Sequence, residues 1–150
     1  MKFYSSFAAK DIEGMLSCYH NEIEFEDPAF GKLHREKAAA MWRMLLDNPD
    51  SNLKISYSDI EAEGNLGSAK WTATYNFGKQ RRKVYNVIKS KFEFTDGKII
   101  RHHDNFNLHK WATQALGLQG LMLGWTGYFK HKMNERTAKI LEAYIKKDQR

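Results

Sequence analysis

Between Leu53 and Phe106 apolar side chains recur at every second position in successive runs, a period that extended strands satisfy and helices do not. Leu53, Ile55 and Tyr57 alternate with polar neighbours, and Trp71, Ala73, Tyr75 and Phe77 alternate with Thr72, Thr74 and Asn76. Ile88, Ser90, Phe92 and Phe94 face away from Lys89, Lys91 and Glu93; after a tight turn at Asp96 and Gly97, a last strand runs from Lys98 to Phe106. Long strands with one apolar and one polar side pair as an antiparallel meander whose apolar side must be covered.

Helices on either side of the meander supply the cover. Phe3, Phe7 and Ala8 fall on one helical face, and Asp11 is a good N-cap for a second helix carrying Ile12, Met15, Leu16 and Tyr19. Ile23 and Phe25 alternate with Glu22, Glu24 and Glu26 in a short strand that stops at Asp27 and Pro28, since proline cannot continue a ladder. A turn at Gly31 leads to a helix from about Arg35 to Asp47, striped by Ala38, Met41, Trp42 and Leu45. Beyond the meander, Leu108, Trp111, Ala112, Ala115 and Leu116 share a helical face with Gly117 as C-cap, and Ile140, Leu141, Tyr144 and Ile145 share another.

Leu118 to Phe129 is the most apolar stretch, shorter than the roughly 20 residues of a bilayer crossing. Gly120, Gly124 and Gly127 suit it to close packing, so it is expected to cover apolar sheet or an open pocket mouth. Trp125, Tyr128 and Phe129, followed by Lys130 and Lys132, also fit a peripheral membrane contact over 118–132, a weaker reading because such basic flanks are common on ordinary helices.

At 150 residues and 42% hydrophobic content the chain can bury one full-sized core, and no repeat or long linker divides it. Cys18 is the single cysteine and cannot form an internal disulfide; the first six residues lack the apolar run of a secretory signal. The chain therefore reads as intracellular and cytoplasmic. Its net charge of +6 is spread over Lys79 to Lys83, Lys130 to Lys132 and the tail, with no aromatic-rich RNA or DNA motif beside them, so no nucleic-acid partner is expected.

The run from Phe3 to Asp27 resembles the opening of SnoaL-like and ketosteroid-isomerase-like proteins of the nuclear-transport-factor-two-like superfamily: a short helix, a second helix beginning Asp11-Ile12-Glu13-Gly14, the pair Tyr19-His20, and a strand ending Glu26-Asp27-Pro28. The later order of helix and long strands fits the same superfamily. The resemblance implies an α+β, cone-shaped, cystatin-like fold in which a curved antiparallel sheet and the N-terminal helices enclose a pocket. It assigns residues 1–116 to the SnoaL-like domain and 117–150 to a C-terminal helical extension packed on it. It also implies a homodimer formed through the sheet and a small apolar or aromatic molecule as partner, handled by isomerase- or cyclase-type acid/base chemistry or simply bound.

Asp27 stands where the resembled isomerases keep their proton-transferring carboxylate, and a carboxylate against apolar walls has its pKa raised toward working pH. An aspartate before proline also caps turns, so both readings stay open. His102, Asp104 and Phe106 share one face of the last strand, with Arg101, His103 and Asn105 on the other. In the resembled fold the first set faces the pocket, and Asp104 matches the acid/base aspartate of SnoaL-like cyclases. His102 and Asp104 are then either a catalytic pair or a buried, mutually satisfied one. Tyr19, Trp42, Trp71, Tyr75, Ile88, Ser90 and Phe106 are the expected pocket wall.

Two departures from the resembled enzymes matter. By spacing, Phe3 and Ser90 occupy the positions of the isomerases' oxyanion-binding tyrosine and protonated aspartic acid, so that oxyanion hole is expected to be missing unless Tyr4 or Tyr19 replaces the phenol. Limonene-epoxide-hydrolase-like chemistry needs an arginine between two aspartates, where this chain has Ile88, Lys89 and Ser90. Neighbouring histidines on a strand point apart, so of His102, His103, Asp104 and His109 only His102 and Asp104 could share an ion, and neither metal nor other cofactor is expected.

Overall fold

The computed structural model describes residues 2–149. Two short helices, α1 (Lys2–Ala8) and α2 (Ile12–Leu16), precede strand β1 (Tyr19–Asp27). β2 (Gly31–His34), α3 (Glu36–Leu46) and a 3-10 turn at Pro49–Ser51 follow. The meander is β3 (Lys54–Glu63), β4 (Leu66–Phe77), β5 (Arg82–Thr95) and β6 (Lys98–Asn105), and the chain closes with α4 (Leu108–Leu116), α5 (Leu118–Leu123) and α6 (Gly127–Asp148). The strands form one sheet in the order β2-β1-β6-β5-β4-β3. All neighbouring pairs are antiparallel except β1 with β6, which run parallel.

Register decides what the inner face carries. Ser90 is paired with Ala69 on β4 and Asp104 on β6, and His102 lies between Phe92 on β5 and Phe25 on β1. Helices α1 and α3 lay Phe3, Tyr4, Phe7, Met41 and Trp42 on this face, all buried. Each ring removed from water stabilises the fold by about 1.5–3 kcal/mol. His102 is enclosed by aromatic rings, with Phe92 at 4.6 Å, Phe25 at 5.1 Å and Phe3 at 5.3 Å between centroids, and Trp42 stacked on it at 6.0 Å.

Several local expectations are corrected. Tyr19 opens β1 rather than ending α2, because the helix stops at Leu16. Gly31 begins a strand instead of only a turn, and that strand covers the outer edge of β1. β3 is longer than its alternating residues suggest and mostly exposed, with Tyr57 at 37% and Ile60 at 41%, because it is an edge strand whose distal half extends beyond the helical cover. One continuous helix, α6, spans residues that composition divides between an apolar cover and a short final helix. No helix among the described residues is long and apolar enough to cross a membrane.

Candidate active site

The inner face of β6 carries the buried polar side chains His102 and Asp104. His102 and Asp104 are 1% and 2% exposed, while Arg101, His103 and Asn105 point to solvent. Asp104 Oδ1 accepts two hydrogen bonds: one from the hydroxyl of Ser90, its direct partner across β5, and one from His102 Nε2 at 2.8 Å.

Behind these two donors stands a second tier. Tyr4 donates its phenol proton to Ser90 Oγ at 2.7 Å, and Trp71 Nε1 donates to the same oxygen at 3.0 Å. Trp42 Nε1 donates to the Tyr19 hydroxyl at 2.9 Å, which leaves the Tyr19 proton for His102 Nδ1 at 2.7 Å. Proton counting then places the imidazole hydrogen on Nε2, pointing at Asp104, so every donor in the network is directed toward one carboxylate oxygen. Burial, with the Asp104 charge adding to it, pushes the Tyr4 and Tyr19 phenols well above their usual range and keeps both as donors. Asp104 Oδ2 has no partner among the described residues, yet no buried side-chain oxygen there is orphaned; Oδ2 is therefore the oxygen presented to the cavity that Asp104 lines.

That cavity has a volume of about 710 Å³, within the roughly 300–1,000 Å³ range of small-molecule sites. Its walls are mostly apolar. Trp42, Trp71, Tyr75, Ile88 and Phe106 line it together with Asp27 and Asp104. His102, Tyr19 and Ser90 do not: α1 lies over that part of the sheet, so they form the layer behind Asp104. Tyr4 is likewise spent on Ser90, and neither Tyr4 nor Tyr19 brings a phenol to the cavity.

Asp27 caps a turn and also reaches the cavity. Its Oδ1 caps the turn after β1, accepting the backbone N–H of Ala29 at 2.9 Å and of Phe30 at 2.6 Å, while its carboxyl group lines the cavity. Burial raises its pKa to about 7; the two backbone N–H groups oppose the rise and the Asp104 charge adds to it.

The turn itself is held by α6, because Asn134 Nδ2 donates to the carbonyls of Pro28 and Ala29, both at 2.9 Å, and Thr137 Oγ1 donates to Ala29 O at 2.9 Å. Phe129, Met133 and Ile140 of the same helix line the cavity. Phe129 agrees with the expected cover over a pocket mouth, whereas the grip of Asn134 and Thr137 on the turn has no signal in the sequence. Trp111, which the helical periodicity places as a packing residue, also donates its Nε1 hydrogen to the Tyr75 hydroxyl at 2.6 Å. The Tyr75 oxygen is thereby an acceptor, and its own proton has no acceptor among the described residues. Burial lifts the Tyr75 pKa to about 12, with Trp111 opposing and Asp27 adding.

No group of three or more His, Cys, Asp or Glu side chains able to hold a metal ion occurs among the described residues. His103 is on the outer face, and His109 Nε2 is bonded to Leu121 O at 2.8 Å.

Solved structures share this architecture. An NTF2-like protein of unknown function from Burkholderia pseudomallei K96243 superposes with a TM-score of 0.64 at 12% identity, covering 77% of this chain and 92% of its own. An LEH-like epoxide hydrolase from M. tuberculosis gives 0.63 at 19% identity, covering 81% and 90%. A proposed polyketide cyclase from Xanthomonas campestris pv. campestris gives 0.63 at 19%, covering 76% and 91%. At such identities the likeness speaks for the fold alone. No curated protein sequence matches the chain. The family model described as SnoaL-like domain matches residues 1–102, about two-thirds of the chain, ending two residues before Asp104. That match places the chain in the SnoaL-like domain family, and its fold is the one shared by the solved NTF2-like structures.

Proposed function

We propose that the cavity takes a small apolar or aromatic molecule bearing a carbonyl group, and that the protein moves protons on it by general acid/base catalysis of the isomerase or cyclase type. The observation that carries this reading is the Asp104 carboxylate, with one oxygen held by Ser90 and His102 and the other turned to an apolar cavity that Asp27 shares. In this scheme Asp104 Oδ2 removes a proton from carbon beside the carbonyl, and the electron pair moves onto the carbonyl oxygen. The free Tyr75 proton supports the developing enolate. Asp27, poised near neutrality, returns a proton at a second atom, or the enolate carbon attacks a second carbonyl of the substrate, whose C=O π pair moves onto oxygen and takes the Asp27 proton as the ring closes. Exchange with solvent after product release returns the proton from Asp104 to water and one to Asp27.

Turnover tests the reading directly. A panel of aromatic and polycyclic ketones is followed for deuterium exchange at the position beside the carbonyl, in wild type, Asp104→Asn and Asp27→Asn. Loss of exchange of about 10²–10⁴-fold in Asp104→Asn, with the fold intact, is expected. Equal exchange in wild type and both variants would remove the catalytic claim.

A second reading, a non-catalytic binding module, draws on Tyr4 and Ser90: both lie in the buried network rather than at an oxyanion position. Native mass spectrometry that recovers a co-purified ligand chemically unaltered, together with no deuterium exchange, favours it. The dimer implied by the superfamily belongs to the same proposal. Its face is the outer side of the sheet, where Arg101 bridges Glu24 and Glu93 beside the paired Lys70 and Lys89. Sedimentation velocity of the full chain reads the dimer, and a monomer at every concentration would remove it.

A further inference from the structure

Helix α5 is built with its small residues inward. Gly120 and Gly124 are buried against α4: a Cβ on Gly120 would overlap the Ala112 carbonyl, and one on Gly124 would lie 2.7 Å from Ala112 Cβ. Pinning that face turns the large side chains out. Leu118 and Trp125 are each 71% exposed, Met122 63% and Leu121 50%. The pose is held by His109 Nε2 on Leu121 O at 2.8 Å and by Trp125 Nε1 on Met122 O at 3.0 Å. An apolar surface of this kind in one contiguous segment marks an interaction site.

Charge selects the partner. No Asp or Glu occurs between Asp104 and Glu135, whereas Lys110 and Lys130 lie in that interval, along with Lys132, which pairs with Glu135 at 3.7 Å. Arg82 packs beside Gly117 at the start of α5, its Nε bonded to Gln114 O at 2.9 Å. A second copy of this chain would set cations against cations. Anionic lipid headgroups meet both the apolar tip and its basic flanks. The patch also adjoins the cavity, since Leu123 of α5 and Tyr128 of α6 belong to the cavity wall.

We infer that α5 and the start of α6 seat the protein on an anionic phospholipid surface. Leu118, Leu121, Met122 and Trp125 enter the boundary between headgroups and acyl chains, the lysines lie on the phosphates, and the cavity end carrying Leu123 and Tyr128 faces the lipid. The inference is independent of whether the cavity is catalytic.

Co-sedimentation with vesicles of pure phosphatidylcholine, and of equal parts phosphatidylcholine and phosphatidylglycerol, tests it on the full chain. Binding is expected to the anionic vesicles alone and to be lost at about 0.5 M salt, where exposed charges are largely screened. Lys110→Ala and Lys130→Ala each lower the partition about fivefold. The double variant Leu121→Asp/Met122→Asp abolishes it while leaving the circular dichroism spectrum unchanged, because both side chains are exposed. Absence of binding, equal binding to both vesicle types, or a self-associated species that the double variant dissolves would each overturn the proposal; the last would assign the patch to a second copy.

Discussion

Ser90 and Asp104 are direct partners across β5 and β6, and the serine hydroxyl donates to the aspartate oxygen that faces away from the cavity. The serine receives Tyr4 and Trp71 on its own oxygen, so it relays two buried donors onto one carboxylate. Its loss and the loss of the carboxylate therefore have opposite signatures.

Asp104→Asn keeps an oxygen for Ser90 and His102 to bond and turns its amide to the cavity. Stability is expected to stay within about 1 kcal/mol of wild type while proton transfer disappears. Ser90→Ala retains the carboxylate but orphans Tyr4 and Trp71, at about 1–3 kcal/mol for each unsatisfied donor. Urea unfolding alongside the exchange assay separates the two.

Asp27 makes stability depend on pH in a direction that can be worked out. Its folded pKa of about 7 lies above the ordinary value of 3.8, so the native state binds the extra proton between those values. The stabilisation is fully present below about pH 4 and is lost as pH rises through 7. Asp27→Asn still offers an oxygen to Ala29 and Phe30 but carries no charge. Its melting temperature is expected to exceed that of wild type above pH 7, with the difference shrinking toward pH 4. A constant difference across that range would contradict the buried-carboxyl account.

Tyr75→Phe removes the free phenol proton and keeps the ring. It also deprives Trp111 Nε1 of its acceptor, so a loss of about 1 kcal/mol in stability is expected. If Tyr75 supports an enolate, kcat falls about 10²-fold with KM little changed. Steady-state kinetics on any substrate found by the exchange assay distinguishes this from a purely structural tyrosine, which would leave kcat alone.

Gly120→Ala tests how α5 is held. The added methyl collides with the Ala112 carbonyl, a backbone atom that cannot step aside. A loss of about 1–3 kcal/mol is expected, together with faster proteolysis between residues 117 and 127. Wild-type resistance would mean that α5 packs otherwise.

Strand parity is legible in β5, where a two-residue period leaves one answer once Ile88, Phe92 and Phe94 must avoid water; on β6 the direction of His102 comes from the family resemblance. Asp27 and Asp104 as candidates come from the same resemblance. Which inner-facing residues meet the cavity was not legible. Tyr19 and Ser90 have the same parity as Trp71 and Ile88, and only the position of α1 over the sheet separates the buried layer from the wall. Trp111 and Asn134 were invisible for a related reason: their partners, Tyr75 and the Pro28–Ala29 carbonyls, lie 36 and about a hundred residues away in sequence, and no local pattern encodes such distances.

Asn134 and Thr137 grip the turn that carries Asp27 from a helix lying outside the stretch that defines the family. The turn whose N–H groups bear on the acidity of a residue inside the shared domain is thus held by a tail the domain's definition omits. Exchanging that tail between relatives, or cutting it away, would retune the proton affinity of Asp27 without altering a single residue of the cone, giving divergence a dial separate from the scaffold.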